Sequence, residues 1–169
     1  MDHYSSQPIT TKRGKGFYSD FQNHLSSYLK YFEFRLNLHL DKANDLPQRG
    51  RKKTYDTIIR INLIPKFYEN NSKNSFTSKD VISVQSSRKV KNTLSPHFHE
   101  DFIFDVEKFD SLKNLVLRLS LYDYERQGRF DAIGHIVVPL TCLTKPGESK
   151  KHNLPFKCQP TVRHPHNLI

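Results

Sequence analysis

Cysteine, tryptophan and methionine are almost missing from this 169-residue chain, which has two, none and one of them. Cys142 and Cys158 lack CxxC spacing, so neither a disulfide framework nor a zinc ribbon is indicated. Long apolar runs are lacking too: no stretch approaches the roughly 18–20 residues of a membrane span, and the N-terminus has no apolar core of a secretion signal. A cytoplasmic protein is expected. Acidic residues are the scarcer charge, 17 against 27 Lys and Arg, which leaves a net +10. That excess favours polyanions, whether anionic lipid surfaces, nucleic acid or acidic proteins, and charge alone does not choose among them. The basic clusters lack the interleaved aromatics of a base-stacking platform, so nucleic acid is not expected.

Signals of catalysis are also thin. No Gly-rich phosphate loop occurs, and neither Cys has a spacing that suggests a His partner. His97-Phe98-His99 followed by Glu100 would put two imidazoles on one face of a strand, where they could chelate a metal. Spacing specifies no third ligand, so the pair is read as an ordinary strand face, and His164-Pro165-His166 falls in an unpatterned tail. An enzyme is not expected.

What is abundant is two-residue alternation. Phe32, Phe34, Leu36, Leu38 and Leu40 fall on one face of a candidate strand, with Glu33, Arg35, Asn37 and His39 on the other. Leu115, Leu117, Leu119 and Leu121 alternate in the same way with Val116, Arg118 and Ser120. Further strands are expected over residues 57–64, 82–85, 101–106, 116–121 and 133–138, each rich in Val, Ile, Leu or Phe and bounded by turn residues. Many short strands at regular spacing predict an all-β, antiparallel β-sandwich. The domain is expected over residues 17–158, interrupted by a polar, mobile insertion at 66–79. A disordered basic arm (1–16, with Lys12, Arg13 and Lys15) precedes it, and an unpatterned tail (159–169) follows.

Asp123, Glu125 and Asp131 lie between two apolar strands, an oxygen-rich spacing that suits a hard cation and equally suits a solvated turn. Four motifs give this segment a wider context: Asp45-Leu46-Pro47; Ile61-Asn62-Leu63-Ile64-Pro65; Asn92-Thr93-Leu94-Ser95-Pro96 before Phe98, Glu100, Phe102 and Phe104; and Tyr122-Asp123-Tyr124-Glu125 followed by Asp131-Ala132-Ile133-Gly134. In this order, over roughly residues 30–143, the chain resembles the C2 domain of the synaptotagmin, rabphilin and double-C2 type. Residues 18–23 also look like that family's opening strand, with a longer connection to Phe32 than usual. The resemblance implies an eight-stranded sandwich whose loops at one end bind calcium and acidic phospholipid, in membrane trafficking or exocytosis.

Carried over by position, the family's five calcium-binding carboxylates fall on Gly50, Asp56, Asp123, Glu125 and Asp131. Gly50 offers no side chain, and Glu125 sets its carboxylate about one methylene further out. The resemblance therefore implies a weak or vestigial calcium site on Asp56, Asp123, Glu125 and Asp131, with no cofactor required. Six bases on the same loops, Arg49, Arg51, Lys52, Lys53, Arg126 and Arg129, outnumber these four acids. They are the expected lipid-binding set, because each base near an anionic leaflet contributes about 1 kcal/mol. Arg88, Lys89 and Lys91 form a smaller, secondary basic patch. The expected partner is an anionic phospholipid membrane, with the chain peripherally attached. The alternative is an adaptor without lipid or calcium role that contacts acidic trafficking proteins.

Overall fold

The computed structural model describes residues 24–49, 51–66, 81–125 and 128–158. The basic arm, the candidate opening strand at 18–23, residues 67–79 of the insertion, the tail, Gly50 and Arg126 lie outside the described residues. Among the described residues, ten strand segments follow one another: β1 (His24–Phe32), β2 (Arg35–Asn44), β3 (Tyr55–Pro65), β4 (Ser83–Ser86), β5 (Val90–Thr93), β6 (His97–Asp105), β7 (Leu115–Tyr124), β8 (Phe130–Pro139), β9 (Ser149–Pro155) and β10 (Lys157–Cys158). Short 3-10 turns at Phe109–Asn114 and Leu140–Cys142 flank β7 and β8.

All pairings are antiparallel. One sheet has the order β6-β2-β1-β9; the other runs β10-β8-β7-β3-β4, with β5 also pairing β3. β4 and β5 share the β3 edge as one interrupted strand, and β10 adds two described residues beside β8. Among the described residues, four strands thus face four long ones and the short β10, the expected antiparallel sandwich.

Period-two alternation explains the core. Leu36, Leu38 and Leu40 of β2 and Phe98, Phe102 and Phe104 of β6 point inward from one sheet. Ile59, Ile61 and Leu63 of β3 and Leu117, Leu119 and Leu121 of β7 meet them from the other. At about 25 cal/mol per Å² of buried apolar surface, this shared layer is the main favourable term of the fold.

The first expected strand is two strands. Phe32 ends β1, Glu33 and Phe34 form the turn, and β2 begins at Arg35. Both turn residues have positive φ, 50° and 63°, the conformation of a two-residue type I′ hairpin. Phe34 is therefore 69% exposed rather than in the core, and its carbonyl accepts from the Val106 N–H at 2.9 Å. Such turns favour Asn-Gly, and without those residues an unbroken alternation conceals the corner. His24–Phe32 is the strand that pairs with β2, joined by this turn rather than by a long connection.

Sheet register places the loop residues. β3 aligns Thr57 with Asp123 of β7, and β7 aligns Asp123 with Asp131 of β8. Asp56, Asp123 and Asp131 thus arrive at one end of the sandwich, where the β2–β3 connection (residues 45–54) and the β7–β8 turn also emerge.

Candidate functional site

A cleft of about 660 Å³ opens at this end, with Lys52, Lys53, Asp56, Lys91, Asp123 and Glu125 in its walls. Asp123 is its deepest carboxylate, only 3% exposed. Its Oδ1 accepts from the Asp56 backbone N–H at 3.1 Å, and its Oδ2 accepts from the Lys52 ammonium. The same ammonium lies 3.6 Å from Glu125 Oε1. A buried carboxylate needs partners on its oxygens, and here a backbone amide and a lysine supply them. Burial would lower the Lys52 pKa, but the hydrogen bond and charge of Asp123, helped by Glu125, outweigh it and hold the group above its ordinary 10.5. Lys52 is a built-in cation at the centre of the acidic cleft.

The other acids are less enclosed. Asp56 Oδ1 accepts from the Asn92 N–H at 3.0 Å, and Asn92 in turn accepts from Thr54 Oγ1 at 2.6 Å through its side-chain oxygen. Asn92 takes the left-handed backbone, φ 55°, that this residue type tolerates better than most. Asp131 is exposed. Glu125 Oε2 lies 4.0 Å from Arg129 Nε, and the turn between them closes with the Glu125 N–H donating to the Arg129 carbonyl at 2.9 Å and Gly128 at φ 74°.

The six-base set divides in two. Arg49 is spent inside the protein: its guanidinium donates to the Ala132 and Ile133 carbonyls at 2.6 and 2.7 Å, tying the β2–β3 connection to β8. Lys52 is spent on Asp123 and Glu125. Tyr55 completes the clamp, its buried hydroxyl donating to the Pro47 carbonyl, with burial raising its pKa. Arg51, Lys53 and Arg129 are exposed, and Arg129 Nε lies 4.0 Å from Glu125 Oε2; Arg126 is outside the described residues.

The secondary patch also divides. Arg88 belongs to the sheet: its N–H and guanidinium engage the Glu100 carboxylate, and the guanidinium donates to the Phe98 carbonyl at 2.8 Å. Lys91 lines the cleft, and the Lys89 ammonium sits 4.1 Å from the centre of the Tyr124 ring, a cation–π distance. Lys53, Lys91 and Arg129 therefore line one cleft, with Lys89 over its wall residue Tyr124 and Arg51 exposed beside Lys52, so the two patches that the sequence suggests adjoin as one basic rim. The internal roles of Lys52 and Arg49 leave no sequence signal, since a lysine folded back onto a carboxylate and one facing solvent read alike.

Human Synaptotagmin-7 is 29% identical to this chain over 108 residues, 64% of this chain and 23% of that protein. Rat Synaptotagmin-10 is 34% identical over 97 residues, 57% and 16% respectively. The chain thus spans about a quarter or less of the length of these relatives. In three dimensions it resembles a C2 domain of RIM from Drosophila with a TM-score of 0.62 at 21% identity, over 79% of this chain and 98% of that one. Residues 34–156 match the family model of the C2 domain, and on that match the chain belongs to the C2 domain family.

Proposed function

We propose that this C2 domain is a peripheral membrane module that binds anionic phospholipid without requiring calcium, at the cytosolic face of trafficking membranes. The observation that carries the proposal is the Lys52 ammonium held between Asp123 and Glu125. A calcium ion entering the cleft has to displace this charge and then share a site of four acids, one of which already has both oxygens engaged. Affinity follows ligand number and charge, so calcium binds weakly at best.

The basic rim supplies the alternative attraction. Lys53, Lys91 and Arg129 line the cleft, with Lys89 over its wall residue Tyr124 and Arg51 exposed beside Lys52, and four such charges near an anionic leaflet, at about 1 kcal/mol each, favour binding by on the order of a thousand-fold before ordering costs. The relatives and the fold support a membrane-trafficking setting without naming a lipid.

Cosedimentation with phosphatidylserine-containing liposomes, in calcium and in chelator, tests the reading. Equal binding in both, weakening steeply with salt, is expected, because exposed charges are screened over about 8–10 Å at physiological ionic strength. Binding only with calcium, or none at low salt, overturns it; the latter leaves an acidic protein as the rim's partner.

A further inference from the structure

We propose that the outer face of the β6-β2-β1-β9 sheet binds a transition-metal dication of the zinc class through His39, Asp41 and His99, outside the loop cleft. One ligand atom from each of these three side chains lies within 4.8 Å of the other two. Tetrahedral zinc, with bonds of about 2.0–2.1 Å to nitrogen and oxygen, separates its ligands by roughly 3.4 Å. His99 Nδ1 and Asp41 Oδ1 are already 2.9 Å apart, and the metal takes the place of the proton between them, the neutral His99 imidazole then carrying its proton on Nε2. The widest gap closes by about 1.4 Å, a movement within reach of partly exposed side chains on a strand.

Two features of the backbone and its surroundings favour a site over a chance cluster. Leu40 pairs with Glu100 and Lys42 with His97, so β2 advances two residues while β6 advances three. This bulge lies opposite Asp41, and His99 within it has φ 49°. Bulges re-aim side chains, and this one sets His99 against Asp41. On β2, His39 Nδ1 donates to Asp101 Oδ1 at 2.8 Å. An ionised carboxylate only accepts, so the proton resides on Nδ1 and the Nε2 lone pair is left for a metal, the carboxylate–histidine–metal arrangement. Tyr28 stacks on the His39 ring at 5.1 Å and limits its rotation.

Two imidazoles and one carboxylate are a borderline donor set, suited to zinc, copper or nickel rather than to calcium or magnesium. His97, whose ring centre is 5.5 Å from that of His99, stands near enough to add a fourth ligand, or water completes the shell. The strand face that lacks a third ligand by spacing alone acquires two from the neighbouring strand.

Calorimetric titration of the metal-stripped chain with zinc chloride tests this. One saturable site is expected, undiminished by excess magnesium or calcium. His39→Ala and His99→Ala should each remove it, and Asp101→Asn should weaken it by roughly 10–100-fold by freeing the His39 ring. The His164→Ala/His166→Ala tail variant should bind like the parent. Circular dichroism of each variant separates loss of metal from loss of fold, and Asp41→Asn replaces any that unfolds. No saturable zinc binding, binding unchanged in the folded sheet variants, or loss in the tail variant alone overturns the proposal.

Discussion

Strand β7 passes through two environments. Leu117, Leu119 and Leu121 are fully buried against β3 and the opposite sheet, and what they require of their neighbours is apolar volume. Two residues on, Asp123 is almost as buried, yet what it requires is a donor on each oxygen. The first requirement is met by many side chains at once, the second by one amide and one ammonium at fixed positions. The apolar half is consequently tolerant of its partners and the acidic end is not. A cluster of acids at a loop end is therefore no measure of metal affinity until its internal cations are counted.

The comparison breaks most visibly in the core. Leu119→Ala should cost about 2–5 kcal/mol, from lost burial and the cavity left behind. Arg35→Ala, at an exposed position, should change stability by no more than about 0.5 kcal/mol. Urea unfolding of both variants checks this, and equal midpoints would show the inward and outward faces to be misassigned.

Next in size is the rim. Replacing Arg51, Lys53 and Lys91 with Glu should lower binding to anionic liposomes by at least about a hundred-fold, three charges at about 1 kcal/mol each being lost and then opposed. The unfolding midpoint should stay near the parent's, since these side chains are exposed. Lys52 is left out of this variant deliberately: Lys52→Glu would set a third carboxylate beside Asp123 and Glu125, so lost binding could not be told from a disturbed loop.

Lys52 itself sharpens the contrast at the acidic end. Lys52→Met leaves Asp123 short of a charged donor and should cost about 1.5–3 kcal/mol, the range for hydrogen bonds to charged groups. The lysine side chain is 41% exposed, so water replaces part of the interaction and the lower half of that range is expected. With the internal cation gone, calcium should restore stability to the variant while leaving the parent's melting temperature unmoved. A parent already stabilised by low-micromolar calcium would refute the internal-cation account.

The core half was legible in the sequence because burial writes itself as periodicity: the alternations at Leu36–Leu38–Leu40 and Leu117–Leu119–Leu121 appear as strands in the expected faces. β9 was not legible, because as an edge strand of sequence SKKHNLP it has little apolar face. β1 was hidden by a hairpin corner built from Glu33 and Phe34. At the cleft end of the sandwich, Asp56, Asp123, Glu125 and Asp131 were all legible as acids, and strand register brings Asp131 beside Asp123. Their partners were not, since the reach of Lys52 to Asp123 and of Arg49 to β8 depends on how residues 45–54 fold back. The outer-face histidines show the same limit, since His99 meets Asp41 only through strand pairing.

The smallest expected effect lies on the sheet faces, at His135 of β8 and His152 of β9. Burial, with the Arg118 and Lys157 charges, lowers the His135 pKa from its ordinary 6.5; burial and Lys150 do the same at His152. A histidine with a depressed pKa binds its proton less readily in the folded chain than in the unfolded one. Its contribution to stability is therefore complete above pH 6.5 and is lost as pH falls below 6.5 towards the folded value. The parent should lose melting temperature over that interval, before most carboxylates protonate. His135→Gln with His152→Gln should flatten this part of the profile and leave the rest, including the carboxylate-driven decline at lower pH. A parent that gains stability as pH falls from about 7 to about 5 would mean that these rings find an acceptor for their second proton, and that the sheet faces, like the cleft, supply specific polar partners.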